Sequence, residues 1–253
     1  MKRIFLTIIL LGIVYSCIAQ NIVNIPYDAT SIPDEYRDSN PDYVMYPATL
    51  EGKDSIEMSC ILFSTNCIEA VDLGLSVKWA TCNIGASSPS GFGKYFAWGE
   101  LCPKSRYTWE TYKLSRGAAN QITKYFVGVD DKTELEPCDD IATYAWGDEW
   151  RMPTKEECIE LLNRCSWSFQ NNGYKVIGPN GNSIFLPTTG VYYNSHTVSQ
   201  SDKCTYWTKT LDNSAPQDAH VLSCTPGLNH TKEIRSLSRC IGCPIRPVCP
   251  LMK

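Results

Sequence analysis

Histidine is scarce in this chain, with three residues in 253, at His196, His220 and His230. So few imidazoles leave acid–base catalysis and zinc ligation little to draw on. No Gly-x-Ser-x-Gly elbow, His-Glu-x-x-His pair or phosphate-binding loop occurs in the sequence, so none of the chemistries those spacings serve is indicated. Basic excess is missing too. The 23 Lys+Arg against 27 Asp+Glu give a net charge of −4, which argues against nucleic acid, whose phosphates call for a basic face. Charged residues at 20% and aromatics at 11% exclude a disordered composition.

Only one long apolar run exists, from Ile4 to Ala19 behind Lys2 and Arg3. About 16 residues rise roughly 24 Å as a helix, short of a bilayer crossing. A basic start, an apolar centre and the small-residue end Cys17-Ile18-Ala19 before Gln20 read as a secretory signal peptide, residues 1–19. The rival reading is a lipoprotein box, Val14-Tyr15-Ser16-Cys17, with acylation of Cys17; the bulky Tyr15 weighs against it. The expectation is an exported protein, extracellular, surface-bound or periplasmic, with no membrane span after cleavage. Cleavage leaves an even number of the 13 cysteines, and disulfides are the expected state in an oxidising compartment.

Residues 20–69 read as an extended leader. Pro26, Pro33, Pro41 and Pro47 forbid a long helix and suit an arm with edge strands. One strand is expected over Ile56–Phe63, and Cys60 and Cys67 close a short loop that suits a local disulfide. Residues 70–253 read as the domain. Short apolar runs alternate with Gly, Pro and Asn turns, and one helix is well signalled. Thr154 and Glu157 form a capping box, and Cys158, Leu161, Leu162 and Cys165 follow the stripe of a buried helix face. A second helix is expected from Asp139 or Asp140 to about Trp146. Asn180-Gly181 between Lys175–Ile177 and Ser183–Pro187 predicts a hairpin. One or two helices with many short strands make the fold class α+β, and no internal repeat is present.

Several motifs in order then resemble one family. Ala70-Val71-Asp72-Leu73-Gly74-Leu75, Trp79-Ala80-Thr81-Cys82-Asn83-Ile84-Gly85-Ala86 and Tyr95-Phe96-Ala97-Trp98-Gly99-Glu100 come first. Asp139-Asp140-Ile141-Ala142, Trp150-Arg151-Met152-Pro153-Thr154, Asn180–Pro187, Tyr206-Trp207 and Gly242–Val248 follow. Over about residues 70–249 this resembles the Fibrobacter succinogenes major paralogous domain, common in secreted and surface proteins of Bacteroidetes and Fibrobacteres. The resemblance implies a C-type-lectin-like domain with short twisted antiparallel strands and long loops. Trp146, Arg151, Pro153, Thr154 and Glu157 are also similar to a stretch of the formylglycine-generating, sulfatase-modifying enzymes. In those an active cysteine follows a Gly-Phe-Arg, whereas Pro247 follows Arg246 here, so the enzymatic reading does not carry over.

By the resemblance, Cys82 and Cys165 fall where family members often have cysteine, which implies a shared structural role and makes both disulfide candidates. Cys102, Cys138, Cys158 and Cys243 depart from that pattern, and a Cys102–Cys138 bond is expected because both depart in one chain. Cys158 and Cys165 cannot pair along one helix, where seven residues rise roughly 10.5 Å, beyond disulfide reach. Cys240-Ile241-Gly242-Cys243 has redox-motif spacing, but Pro244 and the strand-like surroundings offer no helix terminus to depress a thiol pKa. A structural disulfide role is the expectation for Cys240 and Cys243. Glu136, Asp139 and Asp140 could be read as a calcium site, and a helix-cap role is favoured. No metal, cofactor or catalytic residue is therefore expected.

By the same resemblance, the loops over 188–240 are the ligand face, with Tyr192, Tyr193, His196 and Trp207 as candidate contacts. A core-strand position is the favoured alternative for Trp207. The expected partner is a glycan or surface protein, bound without catalysis. The alternative is a structural or assembly component of the cell envelope, contacted through residues 20–69.

Overall fold

The computed structural model describes residues 68–199, 202–226 and 231–251, together with the strands β1 (Tyr43–Tyr46) and β2 (Ile61–Ser64). The signal segment, Cys17, the Cys60–Cys67 pairing and most of the 20–69 leader lie outside the described residues. β1 and β2 pair antiparallel, Tyr43 opposite Ser64. Among the described residues no helix is long and apolar enough to cross a membrane.

The local signals in the sequence correspond to definite elements. Asp140 caps α1 (Ile141–Trp146) by accepting from the N–H groups of Ala142 and Thr143. Gly147, at φ 95°, ends that helix. Thr154 and Glu157 cap α2 (Lys155–Arg164) reciprocally, and the helix buries Cys158 and Leu161. Strands β5 (Ser166–Gln170), β6 (Gly173–Ile177) and β7 (Ser183–Pro187) form an antiparallel meander. Its Asn180-Gly181 turn is tied down by the Asn180 and Asn182 amides, which donate to Asp72 O at 2.9 and 2.8 Å. That turn needs a glycine at position 178, where a Cβ would stand 2.1 Å from Leu73 O.

The architecture is α+β, with few helices and short antiparallel strands. Its centre is the sheet β10 (Cys204–Leu211), β11 (Asp218–Thr225) and β12 (Thr231–Ser238). Most of the stretch expected to be ligand-face loops is therefore sheet. For β10 and β11 the reason is burial on both faces. Tyr206, Leu222, Cys204 and Cys224 point into a core shared with Trp79, Leu161 and Val176, while Trp207, Leu211, Ala219 and Val221 point into another with Phe96, Trp98 and Ile141. A strand covered on both sides loses the apolar–polar alternation by which a strand is read.

β3 (Ala70–Asp72), β4 (Val77–Ala80) and β13 (Val248–Pro250) form a third sheet that brings the two ends of the domain together, Val248 opposite Trp79. Arg246, just before β13, is 1% exposed. Its Nε donates to Asn83 Oδ1 at 2.8 Å, Nη1 to Ala80 O and Thr81 O at 3.0 and 2.7 Å, and Nη2 to Phe185 O at 2.9 Å. One guanidinium thus joins the end of β4, the following loop and β7. Arg246→Met would remove all four donated hydrogen bonds at once, two of them fully buried, at a cost of about 3 kcal/mol or more. Urea unfolding should show that loss, with Arg246→Lys intermediate; an unchanged midpoint would refute the role.

Candidate functional site

The sequence candidates gather on one hairpin, with one exception. β8 (Val191–Tyr193) and β9 (His196–Val198) pair with Tyr193 opposite His196. The two-residue connection is made by Asn194, at φ 52°, and Ser195, whose carbonyl accepts from the Tyr192 hydroxyl at 3.1 Å. Side chains alternate along a strand, so Tyr192 turns to the opposite face from Tyr193 and His196. Its ring packs 5.1 Å from Tyr107 and 5.7 Å from Tyr95.

Backbone pairs fix the hairpin to the body. Tyr107 N donates to Asn194 O at 2.7 Å, and Asn194 N donates back to Tyr107 O at 3.2 Å. Tyr192 N donates to Gly242 O at 2.7 Å, and Gly242 N returns to Tyr192 O at 2.9 Å. A Cβ on Gly242 would stand 2.8 Å from the Tyr107 ring, so only glycine lets this segment run beneath the aromatic pair. The Tyr107 hydroxyl donates to Tyr95 O and accepts from Lys104 N. The result is a braced platform that leaves Tyr193 46% exposed and His196 exposed.

Trp207 is the exception, and its candidacy as a ligand contact is corrected. It has no exposed surface, and its indole N–H donates to Phe96 O at 2.8 Å. It faces the core from the covered strand β10, the place the sequence favoured. Tyr95, Tyr107 and Gly242 were not singled out by sequence reasoning, because nothing local tells a bracing tyrosine from any other of the 14.

Other clusters spend their polar groups internally. One ligand atom each from Glu136, Cys138 and Asp139 lie within 4.8 Å of one another, but the Lys124 ammonium bridges Asp139 and Glu136, and Lys132 reaches Glu136 at 2.7 Å. Ammonium groups thus sit where a cation would. Asp140 gives its second oxygen to Met152 N at 2.8 Å; burial pushes its carboxyl up against the pull of those N–H donors. It borders a hollow of about 170 Å³ with Pro137, Thr143, Asp148, Arg151 and Lys209, in which Arg151 is engaged by Glu157 and Lys209 by Glu134. A second hollow of about 280 Å³ is lined by Thr81, Pro89, Gln170, Lys175 and the start of β7. Both are smaller than the ~300–1,000 Å³ common for small-molecule pockets.

His220 lies on β11, opposite Ser236 of β12. Lys155 Nζ is 3.2 Å from its Nε2, and Ser236 Oγ is 3.5 Å from its Nδ1. Partial burial, then the Lys155 charge, lower its pKa, so Nε2 accepts from the ammonium. Ser236 donates its hydroxyl proton to Asp212. Asp212, although partly buried, is held down to about 2 by the Ser214 and Ser236 hydroxyls. A nucleophilic serine gives its proton to histidine; this one gives it to a carboxylate, which makes the chain a strut between α2 and the sheet.

Cys138, Cys165, Cys240 and Cys243 are free thiols in this structure, so the expected Cys102–Cys138 bond is not formed in it and Cys240 is not joined to Cys243. Burial pushes the Cys240 and Cys243 thiols up, the reverse of what a working redox pair requires. Cys82 is disulfide-bonded, and Cys60 and Cys67 lie outside the described residues. His230 also lies outside them.

Burial raises the phenols of Tyr107, Tyr112, Tyr125 and Tyr206 well above their ordinary range and that of Tyr174 to about 12. Unfolded phenols ionise near pH ~10. Above that pH the folded chain holds more protons than the unfolded one, so stability falls as pH rises. Arg246, lowered by burial from 12.5 to about 10, works in the opposite sense over that interval but is one group against five. Phenolate absorbance should therefore rise in a step together with loss of near-ultraviolet circular dichroism. A smooth titration of all tyrosines with the signal intact would contradict the assignment.

Compared with known proteins, the chain finds no matching family model, no matching curated protein and no matching solved structure.

Proposed function

We propose that the chain is an exported, non-enzymatic recognition domain of C-type-lectin-like fold, binding a glycan or surface protein through the β8–β9 face. The observation that carries this reading is the Tyr193–His196 pair, displayed side by side on a hairpin braced from beneath by Tyr192, Tyr107 and Gly242. A rigid aromatic offers contact area at little entropic cost on binding. A phenol ring can stack on the apolar face of a sugar while the neighbouring imidazole hydrogen-bonds a hydroxyl. The absence of a catalytic role is argued from the Ser236 proton, directed at Asp212, and from Cys243, which is wholly buried.

A second reading, a protein-binding component of the cell envelope, draws on the loop at Phe126–Val129. Phe126, Val127 and Val129 are 38, 63 and 54% exposed, and clustered exposed apolar side chains commonly mark partner surfaces. A glycan and mucin array with the purified oxidised chain, with and without EDTA, separates the two. The recognition reading expects saturable binding that Tyr193→Ala and His196→Ala each weaken about tenfold, roughly the value of one well-placed contact, with unchanged melting. Binding indifferent to both substitutions would reject the β8–β9 face. A blank array would remove the glycan, and capture of an envelope protein abolished by Val127→Asp would place the function in the second reading.

A further inference from the structure

Three buried thiols meet in one core layer. Cys204 of β10 and Cys224 of β11 are direct partners in the antiparallel register. Neither exposes any surface, and the two thiols interact side chain to side chain. Cys158 of α2 packs into the same cluster. All three are thiols in this structure.

Directly opposed residues of an antiparallel pair have Cα atoms about 4.5 Å apart at a non-hydrogen-bonded position and about 5.5 Å at a hydrogen-bonded one. Both separations fall inside the ~4.4–6.8 Å that a disulfide spans. Direct partners also point to the same face of the sheet. The next pairs, Thr205 with Ser223 and Tyr206 with Leu222, keep regular register, and the irregularity of β10 lies beyond Trp207. The geometry is therefore undisturbed where the two sulfurs meet.

We infer that Cys204 and Cys224 close into a cross-strand disulfide when the chain folds in the presence of a disulfide-bearing oxidant. One thiolate attacks a sulfur of the oxidant and releases a thiolate; the second attacks the mixed disulfide and releases the other. The chain loses two hydrogens with their electrons, and the oxidant leaves as two thiols. Because both residues are inaccessible once the cores close, the exchange takes place during folding. In the thiol form Cys204 Sγ donates to Pro187 O at 3.3 Å and Leu186 O at 3.5 Å. Oxidation removes that weak donor, but Pro187 O keeps the Tyr206 hydroxyl at 2.8 Å. The bond would staple the two strands that separate the cores. For its oxidant the inference rests on the export proposed above.

Trypsin places the three cysteines on separate peptides, 204–209, 210–232 and 156–164. The full chain would be recovered after export and, separately, refolded from the reduced state with reduced and oxidised glutathione. Both samples would be blocked with maleimide in denaturant and mapped without reductant. The expected result is 204–209 joined to 210–232, two hydrogens lighter than their sum and free of maleimide. A Cys204→Ala, Cys224→Ala double variant should melt about 5–10 °C below the oxidised chain. Maleimide on both peptides after refolding to the native circular dichroism would overturn the inference, as would 210–232 joined to 156–164. A bond that forms in glutathione while the chain stays reduced inside its own cells would retain the pair and reject export. An exported chain with Cys82 bridged and both of these thiols free would do the reverse.

Discussion

Two guanidinium groups without carboxylate partners among the described residues hold this structure together. Arg246 spends its donors on three backbone carbonyls and one side-chain amide oxygen. Arg239, with no exposed surface, donates to the Tyr112 hydroxyl and to the carbonyls of Lys124, Tyr125 and Pro216, and lies 4.7 Å from the centre of the Trp98 ring. Short strands joined by long connections leave many buried carbonyls that no ladder satisfies, and each is costly unpaired. A planar cation with five fixed donors can serve several segments at once, where an ammonium serves fewer with less definite geometry.

The segment between these arginines runs through the fold as an irregular strand. Trp98 N donates to Arg239 O, Phe96 pairs with Cys243, Ile84 N donates to Ile245 O, and Ala80 N donates to Pro247 O. The chain from 239 to 247 thus runs against the chain from 98 to 80. Trp207 N donates to Pro244 O from the other side, tying the segment to the central sheet. Gly242, midway, receives the hairpin that carries Tyr193. The anchors of both cores and the support of the candidate site lie within eight consecutive residues, Arg239 to Arg246.

What was legible in the sequence was local. Thr154 and Glu157, Asp140 before α1 and the Asn180-Gly181 turn each announce themselves within a few residues, because capping and turn chemistry are satisfied by near neighbours. The central sheet was not legible. β10 carries Cys204, Thr205, Tyr206, Trp207 and Thr208 buried in succession, so its composition shows neither alternation nor a helical stripe. Arg239 and Arg246 were equally opaque as anchors, since their acceptors lie up to 166 residues away in the chain. The Cys204–Cys224 pairing needed a strand register, which cysteine spacing does not supply.

The candidate site inherits its rigidity from those same long-range contacts. Tyr192 is held by Gly242, and Gly242 lies between two buried arginines, so the hairpin cannot shift without disturbing a core. A surface built in this way would bind, under the proposed function, by presentation: Tyr193 and His196 are displayed in one relative position by the body beneath them. Ordering cost is then met in folding, which favours selectivity among partners over adaptability. Tyr107 illustrates the coupling most directly. Its hydroxyl closes on Tyr95, its ring supports Tyr192, and its backbone pairs with Asn194. A residue with no exposed surface of consequence therefore sets the position of the two that face solvent.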